Sequence, residues 1–197
     1  ANACSGNPTN FNLTVNPIPT VNSVANQVKC NGTLSDAISF TGLVGGTTFN
    51  WSNNNPAINL GSSGTGNIPS FTVSNATNTP IVATITVTPN YPFAGTTCTG
   101  NPITFTITVN PTPTVNQIAN QAICVGSSSS IIPFSSSFGV TNTTYNWSNN
   151  NTSTGILGSG SGTFYAFNAL NSTNTVISSS ITVTPSMSND GVSCAGT

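Results

Sequence analysis

The sequence predicts an all-β protein made of tandem β-sandwich domains set end to end as a rod, and three observations predict it. Apolar and polar residues alternate with period two in ITFTITV (Ile103 to Val109), VATITVT (Val82 to Thr88) and FNLTV (Phe11 to Val15), as in strands with one buried face. No window carries helical spacing with caps. And the chain repeats itself: NPIPTVNSVANQVKC (Asn16 to Cys30) returns 94 residues later as NPTPTVNQIANQAIC (Asn110 to Cys124). FNWSNNN (Phe49 to Asn55) returns as YNWSNNN (Tyr145 to Asn151), and ITVTP (Ile85 to Pro89) as Ile181 to Pro185, both at an offset of 96. Such a period exceeds the ~20–50 residues of solenoid repeats. It matches the ~100 residues of one whole sandwich domain.

The offsets divide the chain into residues 1–15, the last strand of a preceding repeat; 16–109, a complete repeat; and 110–197, a second repeat without its final strand. CSGNPTNFNLTVNP (Cys4 to Pro17) matches CTGNPITFTITVNP (Cys98 to Pro111), and CAGT (Cys194 to Thr197) stands just before that strand falls due again. The simplest explanation is a slice through a longer tandem array. A second is a filament subunit whose opening strand fills the gap at the end of a neighbour, a donor-strand polymer.

Within one repeat the expected elements follow in order. Pro17 to Val28 is extended with alternate apolar positions, and Cys30-Asn31-Gly32 is a turn, because Asn-Gly favours one. Ala37 to Leu43 is a second strand, stopped by Gly45-Gly46. Phe49 and Trp51, two apart, share a face of the third. Ser52 to Asn55 is a loop, and Ile58 and Leu60 lie on a short edge piece. Ile68 to Val73, Ile81 to Thr88 and Ile103 to Val109 complete a Greek-key sandwich of immunoglobulin-like or PKD-like type. Trp51 and Trp147 are its expected hydrophobic anchors. In the linkers, Pro17 and Pro19, and again Pro111 and Pro113, remove backbone donors and fix φ, so a strand ladder must stop there. Proline-rich linkers are extended and semi-rigid, which holds successive sandwiches at a restricted angle.

Composition narrows the function classes. Only 2% of residues are charged (Lys29, Asp36 and Asp190), with no His, Glu or Arg, against about 25% in ordinary soluble proteins. Asn, Ser and Thr must supply solubility. A net charge of −1 provides neither the basic stripe that nucleic acid needs nor a polybasic patch for anionic lipid. No apolar run approaches the ~20 residues of a membrane-spanning helix, so no membrane insertion is expected of this segment. With so few charges, strand edges must be guarded by Pro and Gly or left open for lateral association. General acid–base or nucleophilic catalysis lacks a titratable partner, so an enzyme is not expected, nor a cofactor. Asp36 and Asp190 occupy non-equivalent repeat positions, which argues against a calcium girdle and any metal site. Lys29 is matched by Ile123, which argues against a repeat-wide isopeptide bond.

The five cysteines, Cys4, Cys30, Cys98, Cys124 and Cys194, fall at two repeat positions and read as structural disulfides of an oxidising, extracellular compartment. Two pairings are open: Cys30–Cys98 with Cys124–Cys194, each closing one repeat, or Cys30–Cys194 across the junction. A strand of about 7 residues spans over 20 Å, far more than the ~6 Å Cα separation of a disulfide, and this favours the crossing scheme; common precedent favours the internal one. Neither is the antibody pin, for no cysteine accompanies the tryptophans. The sequons, from Asn12 to Asn171, are what an Asn/Ser/Thr-rich chain produces by chance. The Asn runs beside Trp51 and Trp147 could present amides and a ring to a polysaccharide, or be plain solvated loops.

Taken together, PTVN at the linker, NQxxC, WSNNN, ITVTP and CxGNPxTFTITVNP resemble the PKD-like or immunoglobulin-like tandem repeats of giant surface proteins of the Bacteroidota. The resemblance covers essentially the whole chain. It implies export by type IX secretion and a cell-surface role in adhesins or filaments, some of them in gliding motility, with no catalytic residues to carry over. Two roles follow as expectations. One is a stiff stalk or filament whose partners are neighbouring repeats, with lateral or head-to-tail self-association. The other is a set of repeats that bind polysaccharide or other cells directly.

Overall fold

The computed structural model describes residues 4–196. Residues 1–3 and 197, the outermost parts of the 1–15 and 110–197 segments, lie outside them. The chain is all-β, a β-sandwich architecture. In the first repeat β1 (Gln27–Cys30), β2 (Thr48–Asn53), β3 (Ser63–Thr65), β4 (Ile81–Phe93), β5 (Thr96–Thr99) and β6 (Ile103–Asn110) form one sheet in the order β1-β6-β4-β2-β3, with β5 hairpinned onto β4. In the second, β7 (Thr144–Asn149), β8 (Ser159–Ser161), β9 (Ile181–Asn189) and β10 (Val192–Ala195) form a sheet in the order β10-β9-β7-β8.

Period-two alternation decides which face is buried. Phe105, Ile107 and Val109 of β6 and Ala83, Ile85 and Val87 of β4 point inward and are almost wholly excluded from solvent. Opposite them lies a layer of extended chain held by two isolated bridges, Leu34 to Thr72 and Ile38 to Ile68. Ile38, Phe40, Ile68 and Val73 of this layer join the same core, and the Phe40 ring stands 5.8 Å from Phe49 and 6.4 Å from Phe105. This layer is the predicted Ala37–Leu43 and Ile68–Val73 pair, reduced to bridges because side chains take over the ladder. Asn67 Oδ1 accepts the Phe40 N–H, and Ser35 Oγ accepts the Phe71 N–H.

Three other expectations are corrected. The first strand is Gln27–Cys30 rather than Pro17–Val28, since its ladder is a parallel pairing with β6 alone, Gln27 opposite Ile107 through Cys30 opposite Asn110. Ile58 is not on an edge strand: Pro56–Ile58 is a single 3₁₀ turn capped by Asn55, with Ile58 fully buried. The edge is β3 instead. The hairpin strands β5 and β10 were not anticipated at all. Each follows a two-residue turn with both residues at positive φ, Ala94-Gly95 and Asp190-Gly191.

Ala94 is the poorer choice at that position, because its Cβ strains a φ of 48° that Asn, Asp or Gly tolerates. Ala94→Asn is expected to stabilise the first repeat by about 0.5–1 kcal/mol. A thermal melt that does not rise would refute this.

The two repeats differ at one place. β4 has 13 residues and β9 has 9. The four at the start of β4, Ile81 to Thr84, pair only with β6, Ile85 to Val87 pair with both β6 and β2, and Thr88 to Asn90 are held by β2. Among the described residues no strand lies beside β9 where β6 lies beside β4, so the matching stretch Ile177 to Ser180 falls outside any strand. The same cause leaves Gln121 to Cys124, the counterpart of β1, outside any sheet.

Candidate functional site: the junction between the repeats

The residues singled out in the sequence converge at the boundary between the two repeats. Cys30 ends β1 beside Asn110, which ends β6, and Cys194 lies in β10, the proximal hairpin of the second repeat. Cys30 and Cys194 form a disulfide with their Cα atoms 5.6 Å apart, which is the crossing scheme. Cys98 is half-buried on β5, while Cys4 and Cys124 are exposed; all three are free thiols. Topology explains the pairing: in one repeat the β1 cysteine and the β5 cysteine lie at opposite ends, and only the following repeat brings a partner within reach.

Polar contacts close the same seam. Asn110, wholly buried, accepts at Oδ1 a bond from Asn189 Nδ2 at 2.9 Å, and Asn31 Nδ2 donates to Thr112 Oγ1 at 3.0 Å. The Asn31 N–H also donates to the Asn110 carbonyl at 2.8 Å. The linker is no solvated tether. Pro111 and Pro113 are buried, as is Pro19; Pro17 is exposed. The glycine of each Cys-x-Gly motif is what lets the linker settle. A Cβ at Gly196 would stand 1.9 Å from the Pro113 carbonyl oxygen, and one at Gly100 would stand 1.9 Å from that of Pro19. Sequence reasoning did not find these glycines, although their recurrence two residues after Cys98 and Cys194 was visible.

The tryptophans belong to the sheets. Trp51 packs against the first core and lies over Gly64, its cross-strand partner. Trp147 lies over Gly160 in the same way, with Phe164 edge-on at 5.0 Å. Both are half-buried at the margin of the core rather than at its centre. The Asn runs that follow them are committed to backbone. Asn53 Nδ2 donates to the Leu60 carbonyl, Asn54 Oδ1 accepts the Thr84 N–H, and Asn55 Oδ1 accepts the Ala57 N–H. Asn149, Asn150 and Asn151 repeat the device with Ile156, Ser180 and Ser153.

Asn75, which begins a sequon, is buried and donates from Nδ2 to the Thr79 and Val109 carbonyls. Its amide tethers β6 and is closed to modification in the folded state.

The only ion pair among the described residues is Lys29 with Asp36 at 2.8 Å, exposed on the aspartate side, and such a surface pair contributes little. Asp190 serves the β9–β10 turn. Among the described residues no helix is long and apolar enough to cross a membrane. No protein-family model matches the chain, and no curated protein matches it.

Proposed function

We propose that the chain is a structural segment of a large extracellular adhesin or surface filament, in which disulfide-strapped sandwiches form a stiff stalk for adhesion or motility. The observation that carries this reading is the Cys30–Cys194 bridge across the junction, together with the buried prolines beneath it. A flexible spacer has no use for a covalent strap and a packed linker at the same joint. A load-bearing rod does, because the strap keeps the second repeat attached and aligned if its hydrogen bonds part. The disulfide is compatible with an oxidising location outside the cell and supports that reading. The cell surface of a bacterium of the Bacteroidota, reached by type IX secretion, is the setting that the sequence resemblance supports.

The alternative, direct binding of polysaccharide by the WSNNN loops, is weakened by the amides being already bonded to their own backbone. Immunogold electron microscopy of the producing cells, with antibody to these two repeats, tests the choice. Label strung along thin fibres away from the envelope is expected. Label lying flat on surface polysaccharide would overturn the stalk reading.

A further inference from the structure

Cys30 and Asn110 are register partners at the distal end of the first repeat, and the Cys194 Cα stands 5.6 Å from that of Cys30 across the joint. Each sandwich is therefore a loop that leaves the joint and returns to it. Residues 31–109 start from Cys30 and come back beside it at Asn110. Residues 111–193 start from Asn110 and come back at Cys194. Without the bridge, tension between a point before Cys30 and a point after Cys194 would run through both loops in turn. With it, the covalent line passes directly from Cys30 to Cys194, and both loops hang outside that line.

We propose that the Cys30–Cys194 bridge is a tension bypass. Load is carried by Pro19–Cys30, the bridge and Cys194–Gly196, and neither sandwich lengthens the molecule when it unfolds. This deepens the stalk reading, from which it takes only the existence of a load.

The approach to Cys30 has little slack. Gly100 lies between the Pro19 carbonyl and the Pro89 ring, which fixes Pro19 at the proximal end of the first repeat. From Pro89 along β4 to Ile81, the partner of Val109, and one residue further to the level of Asn110 and Cys30, is about 30 Å. The chain from Pro19 to Cys30 reaches about 37 Å when fully drawn out. Less than about 10 Å can be gained there before the backbone itself is taut.

The contacts that the bridge relieves are of two kinds. In the first repeat, tension draws β1 proximally and Asn110 distally, so the parallel β1–β6 ladder is loaded in shear and its four residue pairs resist together. The mouth of the second loop has weaker closures: the Asn189–Asn110 bond and Gly196 against Pro113. Behind them β10 peels from β9 one pair at a time. Sandwiches joined through such a mouth alone would lengthen under load, whereas the bridge holds it shut.

The test stretches single full-length chains by peptide tags fused to the two termini. Cys4→Ser, Cys98→Ser and Cys124→Ser keep the free thiols from shuffling. Oxidised chains, in which peptide mapping should find Cys30 joined to Cys194, are expected to show no lengthening step above about 20 Å. In dithiothreitol, or with Cys30→Ser, the 164-residue separation of the two cysteines should be released as about 550 Å of extra length, in two steps of similar size. Phe105→Ala, which hollows the first core, supplies a second variant. Bridged, it should reach the same length at high force whether or not the first repeat folds; reduced, its first repeat should yield at a lower force than the parent's. Steps of hundreds of ångströms in the bridged chain would overturn the proposal. So would a reduced chain no longer than the bridged one, or Cys30 and Cys194 left as thiols after oxidation. The stalk reading fails separately: a bypass that gives way leaves a stalk held by the sandwiches themselves, and immunogold label flat on polysaccharide removes the stalk but not the bypass.

Discussion

Replacing Cys30 with Ser is expected to lower the unfolding temperature of the second repeat by about 10–20 °C and to leave that of the first nearly unchanged. The asymmetry follows from where the bridge is anchored. Its two cysteines are 164 residues apart in sequence. While the first repeat is folded, though, Cys30 is held beside Asn110 by the β1–β6 pairing. The loop that the bridge closes is then only the second repeat, Asn110 to Cys194. Closing a loop of that order restricts the unfolded chain by about 4–5 kcal/mol in the entropy model, of which ~2–4 is typically realised. The first repeat has a continuous core of its own and loses no loop closure. The second has a small cluster, in which Cys194 itself is buried with Val140 and Met187, so it has less to fall back on. Since Trp51 and Trp147 report one repeat each, fluorescence melts of Trp51→Phe and Trp147→Phe backgrounds, with and without C30S, separate the two transitions. Equal shifts in both would show that the repeats unfold as one unit and that this account of the bridge is wrong.

The same anchoring shows what could be read from the sequence. Where an alternating stretch has its pairing partners among the described residues, the reading is close: Ile103–Val109 lies within the strand Ile103–Asn110, and Ile81–Thr88 within a strand that runs to Phe93. Phe11–Val15 alternates as well, but it is not a strand, because no neighbour among the described residues pairs with it. The repeat positions of the cysteines leave two disulfide schemes open, and the bond formed is the one that strand length favours over precedent. What stayed hidden depends on contacts distant in sequence. β1 exists only because β6, some eighty residues later, accepts it in parallel, and Pro17 to Asn26, with an equally good apolar pattern, has no such partner. The Asn runs look like solvated loops until Thr84, Val82 and Leu60 are brought to them. Charge composition pointed away from catalysis and nucleic acid, but it could not reveal a joint built from proline, glycine and asparagine.

The Cys-x-Gly glycines make that joint testable with a single methyl group. Gly100→Ala places a Cβ 1.9 Å from the Pro19 carbonyl oxygen, 2.9 Å from its carbon and 3.0 Å from Pro89 Cγ. The first two are backbone atoms of a residue whose φ is fixed by its ring, and the third belongs to a proline buried in β4, so nothing can rotate aside. The linker has to lift off the hairpin. The expected cost is about 2–3 kcal/mol, at the upper end of ordinary overpacking. It should appear as a lower melting temperature of the first repeat and as faster proteolysis at Pro17–Thr20. Gly6 occupies the identical motif position, Cys4-Ser5-Gly6, but a Cβ there meets nothing within 4 Å. Gly6→Ala in the monomeric chain should therefore change stability by less than about 0.5 kcal/mol. A pair of variants identical in local sequence and opposite in effect would locate the requirement in the linker's approach rather than in the backbone freedom of glycine. Equal effects at Gly6 and Gly100 would mean that the motif needs glycine for a local reason and that the packed linker is not what stiffens the joint.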